Sequence, residues 1–229
     1  MMGGRIAIAA SLGCLLALVS GCGLLSRERY RFKLTIEVDT PAGIKSGSSV
    51  YEITAWNALK LLPEERSRDW AVKGDAAAVD LADGRTLFAL LKTTSLMRED
   101  LAQVSMAALD PAFRNDIVES AGRIGRSERI RSPASVSQGD YPLLVTFRDV
   151  RNPKSVERVD PAALDKSFGA GVTLRRITVE ITDVPVTTGI EKRLGWLGRG
   201  PDGGLDPTMG VTANPTFAQQ LGFLDFRRK

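Results

Sequence analysis

The chain has 229 residues, 43% of them hydrophobic and 25% charged, with a net charge of +4 at pH 7. These are globular proportions, and so mild a positive balance makes no electrostatic case for nucleic acid. Histidine is absent and the two cysteines are Cys14 and Cys22, which excludes a Ser-His-Asp triad, a His-activated thiolate and any zinc site with histidine ligands. Carboxylate chemistry, a Ser-Lys pair or an oxygen-liganded cation survive the exclusion, as does a protein without chemistry; no cofactor is expected.

The N-terminus carries the clearest pattern. Arg5 is the one charge in the first 21 residues, and residues 6–19, IAIAASLGCLLALV, are apolar or small. That run falls short of the roughly 20 apolar residues that cross a bilayer, and its charge-then-apolar order is that of a secretory signal. Val19-Ser20-Gly21-Cys22 closes it and resembles the lipobox of bacterial lipoproteins. The resemblance implies a diacylglyceryl thioether on Cys22, removal of residues 1–21, and acylation of the new N-terminus. Cys14 competes poorly, because Ser11-Leu12-Gly13 puts a polar residue where the lipobox has a branched apolar one. An ordinary signal peptide with a free Cys22 and an uncleaved anchor are the competing readings. Two or three acyl chains anchor stably where one holds marginally, since each buried CH₂ contributes about 0.8 kcal/mol. Gly23 rather than aspartate follows Cys22, which favours the outer membrane over the inner, with the protein facing the periplasm.

Residues 23–29, GLLSRER, read as a tether spanning roughly 25 Å at most, which keeps the following domain near the bilayer. Residues 30–40, YRFKLTIEVDT, alternate without a fault: Tyr30, Phe32, Leu34, Ile36 and Val38 share one face. PAGIKSG is the expected turn and SSVYEITAW, 48–56, the return strand of a hairpin. AAAVDL and TLFALLK flank Asp83-Gly84 and predict a second hairpin. Met97, Leu101, Val104 and Ala108 then recur at helical spacing, with Thr94 or Ser95 as the cap. Asp110-Pro111 reads as an N-cap with proline at the first helical position, and Phe113, Ile117, Ala121 and Ile124 as the apolar face of that helix. YPLLVTFRD, 141–149, is a buried strand to which SVERV returns after Asn152-Pro153. Asp160-Pro161 opens a short helix ending at Gly169. VTLRRITVEITD, 172–183, is a strand whose apolar parity changes near Arg175-Arg176, the mark of a bulge or of burial on both faces. TGIEKRLGWL, 188–197, reads as a short helix.

The expected class is α+β: a twisted, largely antiparallel sheet built from hairpins, with several helices packed on it. The expected organisation is a signal peptide at 1–21, the lipidated cysteine and tether at 22–29, a single domain at 30–197, and a Gly/Pro-rich irregular tail at 198–229 with one helical turn near Phe217–Leu221. The stretches YRFKLTIEVDTPAGIKSGSSV, DLADGRTLFALL and ITVEITDVPVTTGIEKRLGWL resemble a family of uncharacterised proteobacterial lipoproteins over most of the mature chain. The resemblance implies a Gram-negative envelope setting. It brings no activity and no site beyond the lipid-bearing cysteine.

Candidate chemistry is sparse. Arg123, Arg126, Arg129 and Arg131 in GRIGRSERIRSP form a series suited to anionic headgroups, a cell-wall polymer or an acidic partner, because guanidinium forks match phosphate and carboxylate. Glu128 interrupts it, as in an ordinary solvated connection. FGAGV, 168–172, follows a predicted helix and opens a strand, which is the reverse of a phosphate cradle. Glu64-Glu65 and Asp80/Asp83 are the acidic pairs, and both read as surface. No Gly-x-Ser-x-Gly occurs, and no serine stands three residues before a lysine. Trp56, Trp70 and Trp196 fit core packing, or else a sugar platform or membrane contact. The sequence thus favours a lipid-anchored envelope protein that binds or supports. Its partners would be the membrane through the lipid, an envelope protein, or an anionic cell-wall or lipid surface. An envelope hydrolase using carboxylates or a Ser-Lys pair is the alternative.

Overall fold

The computed structural model describes residues 27–57, 70–81, 84–95, 97–127, 132–198, 203–207 and 214–229. The protein is α+β and rich in strand. The one sheet expected is in fact two, both antiparallel. Among the described residues the larger has six strands, in the order β10 (Arg227–Arg228), β3 (Trp70–Asp75), β2 (Gly43–Trp56), β1 (Arg27–Thr40), β9 (Thr173–Ile181) and β6 (Ala134–Ser135), and the smaller has four, in the order β4 (Ala77–Asp80), β5 (Thr86–Thr93), β7 (Pro142–Phe147) and β8 (Val156–Arg158). Among the described residues, three short α-helices accompany them.

The alternating stretch forms β1 (Arg27–Thr40), and its partner β2 (Gly43–Trp56) pairs with it residue for residue. The turn is tighter than PAGIKSG implies, with Pro41 and Ala42 alone between the strands. Thr40 Oγ1 closes it, donating to the Gly43 carbonyl at 2.6 Å and accepting from the Ala42 N–H at 3.3 Å. The inward face of β1 is as read, with Phe32, Leu34, Ile36 and Val38 fully buried. β9 (Thr173–Ile181) flanks β1 on its other side. Glu37 faces Arg176 while Val38 faces Leu174, so Arg175 is the extra residue of a bulge, where the parity change placed it.

The inner face of β1 and β2 is covered in two halves. Toward the start of β1 lie α1 (Leu101–Leu109) and α2 (Ile117–Gly125). Toward the hairpin tip lies β4 (Ala77–Asp80) of the smaller sheet. The chain first passes between the sheets at a corner. β3 (Trp70–Asp75) pairs with β2, Ala76 intervenes, and β4 then pairs with β5 (Thr86–Thr93). Gly74 stands at φ 140° there, and Ser49 Oγ donates to the Asp75 carbonyl at 2.6 Å. β4 runs so close to β2 that a Cβ on Gly47 would sit 1.9 Å from the Ala78 carbonyl oxygen. Gly47, Ser49 and the Ala76–Ala78 run are the small residues that let two backbones meet where larger side chains hold them apart elsewhere.

β7 (Pro142–Phe147) is buried throughout and pairs with β5 and with β8 (Val156–Arg158), as the apolar density required. Helix ends differ from expectation. Asp100 rather than Thr94 or Ser95 caps α1, its Oδ1 accepting from the Ala102 N–H at 3.0 Å, and Met97 lies before the helix, 72% exposed. Asp110 ends α1 instead of starting α2, which Asp116 caps. Asp160 bonds the Ala162 N–H within a turn, and α3 (Leu164–Phe168) starts only after it. Residues 188–197 make two 3-10 turns, Ile190–Lys192 and Gly195–Gly198, because Gly189 (φ 106°) and Gly195 interrupt any longer helix. The tail, expected as irregular, ends in the six-stranded sheet. Its helical turn is Ala218–Gln220, and β10 (Arg227–Arg228) pairs with β3 and carries a fully buried Phe226 beside it. No helix among the described residues is long and apolar enough to cross a membrane.

The close approach at Gly47 makes a prediction. Gly47→Ala must push β4 away from β2 and should destabilise the fold by about 1–3 kcal/mol, the range for inserted core bulk. Ser48→Ala, one residue along on the exposed face, should change stability by less than about 0.5 kcal/mol. Urea denaturation of both variants checks the contrast.

Candidate functional site

The helical arginines come first. Arg123 is on α2, its Nη2 and Nε donating to Asp110 Oδ2 at 2.7 and 3.1 Å, and its other amine pairing with Glu119. Arg126 follows the helix and pairs with Glu28 at 3.3 Å. Cys22, Arg129, Arg131, Asp83 and Glu64-Glu65 lie outside the described residues. Arg123 is thus engaged within the fold, tying the turn at Asp110 to α2. The glycines of the same GRIG stretch have a role of their own. A Cβ on Gly125 would stand 2.8 Å from the Arg29 carbonyl, so the residue lets α2 lie against β1.

The basic residues at the start of β1 are balanced by acidic neighbours across the sheet. Arg31 Nε bonds Glu52 at 2.9 Å, Arg29 stands 3.7 Å from the same carboxylate, and Lys33 pairs with Glu180. FGAGV is a helix stop followed by β9, with Gly169 at φ 97°.

The buried carboxylates form three separate ties. Asp100, 1% exposed, accepts from Ala102 N–H, from Trp70 Nε1 at 3.2 Å and from Arg228 Nη1 at 3.0 Å, joining α1, β3 and β10. Asp75 accepts from the Ile190 N–H at 2.9 Å. Burial pushes its pKa up, and the backbone donors of Ile190 and Gly189 oppose the shift without cancelling it. At Asp110, desolvation alone would raise the pKa, but the bonds from Arg123, Ser120 and the Ala112 N–H outweigh it and hold the carboxyl below its ordinary range. Asp75 lines a concavity of about 400 Å³ together with Glu191, whose charge adds to the upward shift, and with Lys73 and Arg227.

Trp70 and Trp196 pack against the core, whereas Trp56 stands on the outward face of β2. Arg27 lies over the Trp56 ring, 5.9 Å from its centroid. Trp196 sits among Phe147, Phe223 and Phe226 at centroid distances of 5.5–5.8 Å, and its Nε1 donates to the Val150 carbonyl at 3.0 Å.

Beyond that carbonyl opens an arginine-rich cleft of about 470 Å³. Arg85, Arg148, Arg151 and Arg193 line it, with Phe88 and Phe147 behind them and Asp149 as the carboxylate in its wall. Arg85 follows the β4–β5 turn, donates to the Ser167 carbonyl and stacks 5.5 Å over Phe168. Arg148 and Arg151 come from the β7–β8 connection. Arg193 follows a 3-10 turn and holds Asp80 in a fork, at 2.6 and 2.9 Å. That fork keeps the Asp80 carboxyl below its ordinary pKa, and the N–H and guanidinium of Arg151 do the same for Asp149. Sequence reasoning missed this site because its arginines are dispersed. The available signal was FRDVRNPK, where Arg148 and Arg151 bracket a turn read only as a turn.

Comparison with protein-family models, with curated proteins and with solved structures finds no match to this chain.

The Asp110 tie has a measurable pH signature. A carboxylate with a depressed folded pKa contributes stability that is present above its unfolded pKa, near 3.9, and is lost as pH falls through the folded value. Asp110→Asn should therefore cost about 1.5–3 kcal/mol at neutral pH, as loss of bonds to a charged group does. The gap between variant and parent should close as pH falls below about 4. Denaturation midpoints at pH 7 and pH 3 check both statements.

Proposed function

We propose that the protein is a lipoprotein of the bacterial cell envelope, anchored through an acylated Cys22 and acting by binding, as an accessory or structural module. The observation that carries this reading is the order at the N-terminus: one cation at Arg5, an uncharged apolar run, then Val19-Ser20-Gly21-Cys22. It accounts for a lone cysteine in the mature chain, whose sulfur would be used as a thioether. The likeness to proteobacterial lipoproteins fits the same setting. Gly23 after the cysteine favours the outer membrane, with the folded part on the periplasmic side. Binding is favoured over the alternative of a hydrolase using carboxylates or a Ser-Lys pair. The buried carboxylates Asp75, Asp100 and Asp110 each accept from backbone, tryptophan or arginine donors that tie the fold together. The cleft, in contrast, presents arginine forks toward solvent.

Anchoring is tested by expressing the full chain and its Cys22→Ser variant with a fatty-acid probe and fractionating the cells. The parent should label and sediment with membranes, and the variant should lose the label and keep the uncut signal. Equal labelling of both would overturn the anchor.

A further inference from the structure

We propose that the arginine cleft binds a small ligand bearing a diphosphate, that is, two adjacent phosphate groups; this rests on the reading of the chain as a binding module but not on its lipid.

Four guanidinium groups converge there from three separate parts of the chain, and among the described residues no lysine lines the cleft. Arginine presents a planar fork that matches phosphate oxygens two at a time, which a lysine point charge does not. A volume near 470 Å³ lies within the roughly 300–1,000 Å³ of small-molecule sites and has room for more than one phosphate. A phosphate also offers more oxygens than a carboxylate, so several forks can share a group.

The resident ion pairs leave Arg148 and Arg151 available. Arg148 and Glu157 are 2.9 Å apart with side chains 74% and 48% exposed, and Arg151 and Asp149 are 3.2 Å apart at 89% and 49%. Exposed pairs of this kind contribute little, so a ligand phosphate displaces the carboxylates at little cost. Arg85 bonds a carbonyl, Ser167 O, and keeps its full charge toward the cleft. Arg193 is held in place by its fork on Asp80. The buried rings of Phe88 and Phe147 form the apolar back of the site.

The position of the cleft narrows the source of the ligand. Phe88 pairs with Ala78, Ala78 meets Gly47, and Gly47 pairs with Ile36. Ile36 is nine residues along β1 from Arg27, or about 30 Å at strand rise. The cleft therefore stands well away from the tether end, and the diphosphate is one met in solution rather than the headgroup layer under the anchor.

The test uses the full chain in neutral detergent, titrated calorimetrically with inorganic pyrophosphate at low ionic strength. Saturable binding is expected, weakened about tenfold or more in the Arg148→Ala/Arg151→Ala variant, since two charge-assisted donors are lost. Both residues are exposed, and circular dichroism verifies that the fold persists. The Arg148→Lys/Arg151→Lys variant should bind more weakly than the parent and more tightly than the alanine variant. Absence of saturable binding, equal affinity in parent and alanine variant, or citrate binding as tightly as pyrophosphate would overturn the proposal. Vesicles containing anionic lipid should not compete with pyrophosphate; competition would overturn the solution source. Cys22→Ser should lose its lipid label and keep its pyrophosphate affinity, so loss of the anchor and loss of the cleft are read separately.

Discussion

The fold depends on a single crossing. At Gly74-Asp75-Ala76 the chain leaves the six-stranded sheet and enters the smaller one, and within three residues β4 passes over β2 at Gly47. The crossing is possible because β2 offers no side chain at Gly47 and only a hydroxymethyl at Ser49, whose Oγ bonds the Asp75 carbonyl. On the opposing strand the residues are alanines. Two backbones thus meet in a core where close packing normally keeps them about 10 Å apart. The smaller sheet takes its position from the corner, β5 from β4 and β7 from β5, and the cleft lies where the start of β5 meets the end of β7.

The C-terminal residues brace the same corner from outside. The Ala76 N–H donates to the Phe226 carbonyl at 2.8 Å, and Arg228 reaches Asp100, where α1 begins and Trp70 of β3 also bonds. Phe226 joins Phe147 of the smaller sheet at 5.8 Å and Trp196 at 5.5 Å. Phe226 and Arg228 are thus held by three anchors of different kinds, a backbone bond, an ion pair and an aromatic cluster. The acidic groups that a chemist would first inspect, Asp75 and Asp100, belong to this brace.

The larger pattern was legible where one periodicity ruled. β1 alternates cleanly because one face meets the core and the other water, and the bulge at Arg175 showed as a break in that alternation. The second hairpin, β7 and β8, and the buried faces of Leu101, Val104, Ile117 and Ile124 were legible for the same reason. Two sheets were not, because the signature of the corner is small residues, and Gly47, Ser49 and Ala76–Ala78 carry no period. Helix starts were missed because several aspartates look alike in sequence. Asp110 before Pro111 has the form of an N-cap, yet its carboxylate closes a turn with Ala112 and Arg123, while Asp116 caps the helix. The tail was misjudged because a local composition of glycine and proline says nothing of the distant strand that accepts it.

The same limit explains why the arginines were read in the wrong place. Closeness in sequence drew attention to Arg123 and Arg126, which sit on or beside one helix and find carboxylates on neighbouring elements. Charges on a short stretch share one local surface, and a protein that buries one side of a helix tends to neutralise what lies at its edge. Arginines that meet from different elements are another matter, because only the fold brings them together, and the repulsion among them is tolerated as long as solvent reaches each one. Arg148 and Arg151 are more exposed than Arg123, at 74% and 89% against 33%. All four cleft arginines have partners in the fold, and what distinguishes them is convergence from separate elements with two of the four, Arg148 and Arg151, paired only to exposed carboxylates that an anion can replace.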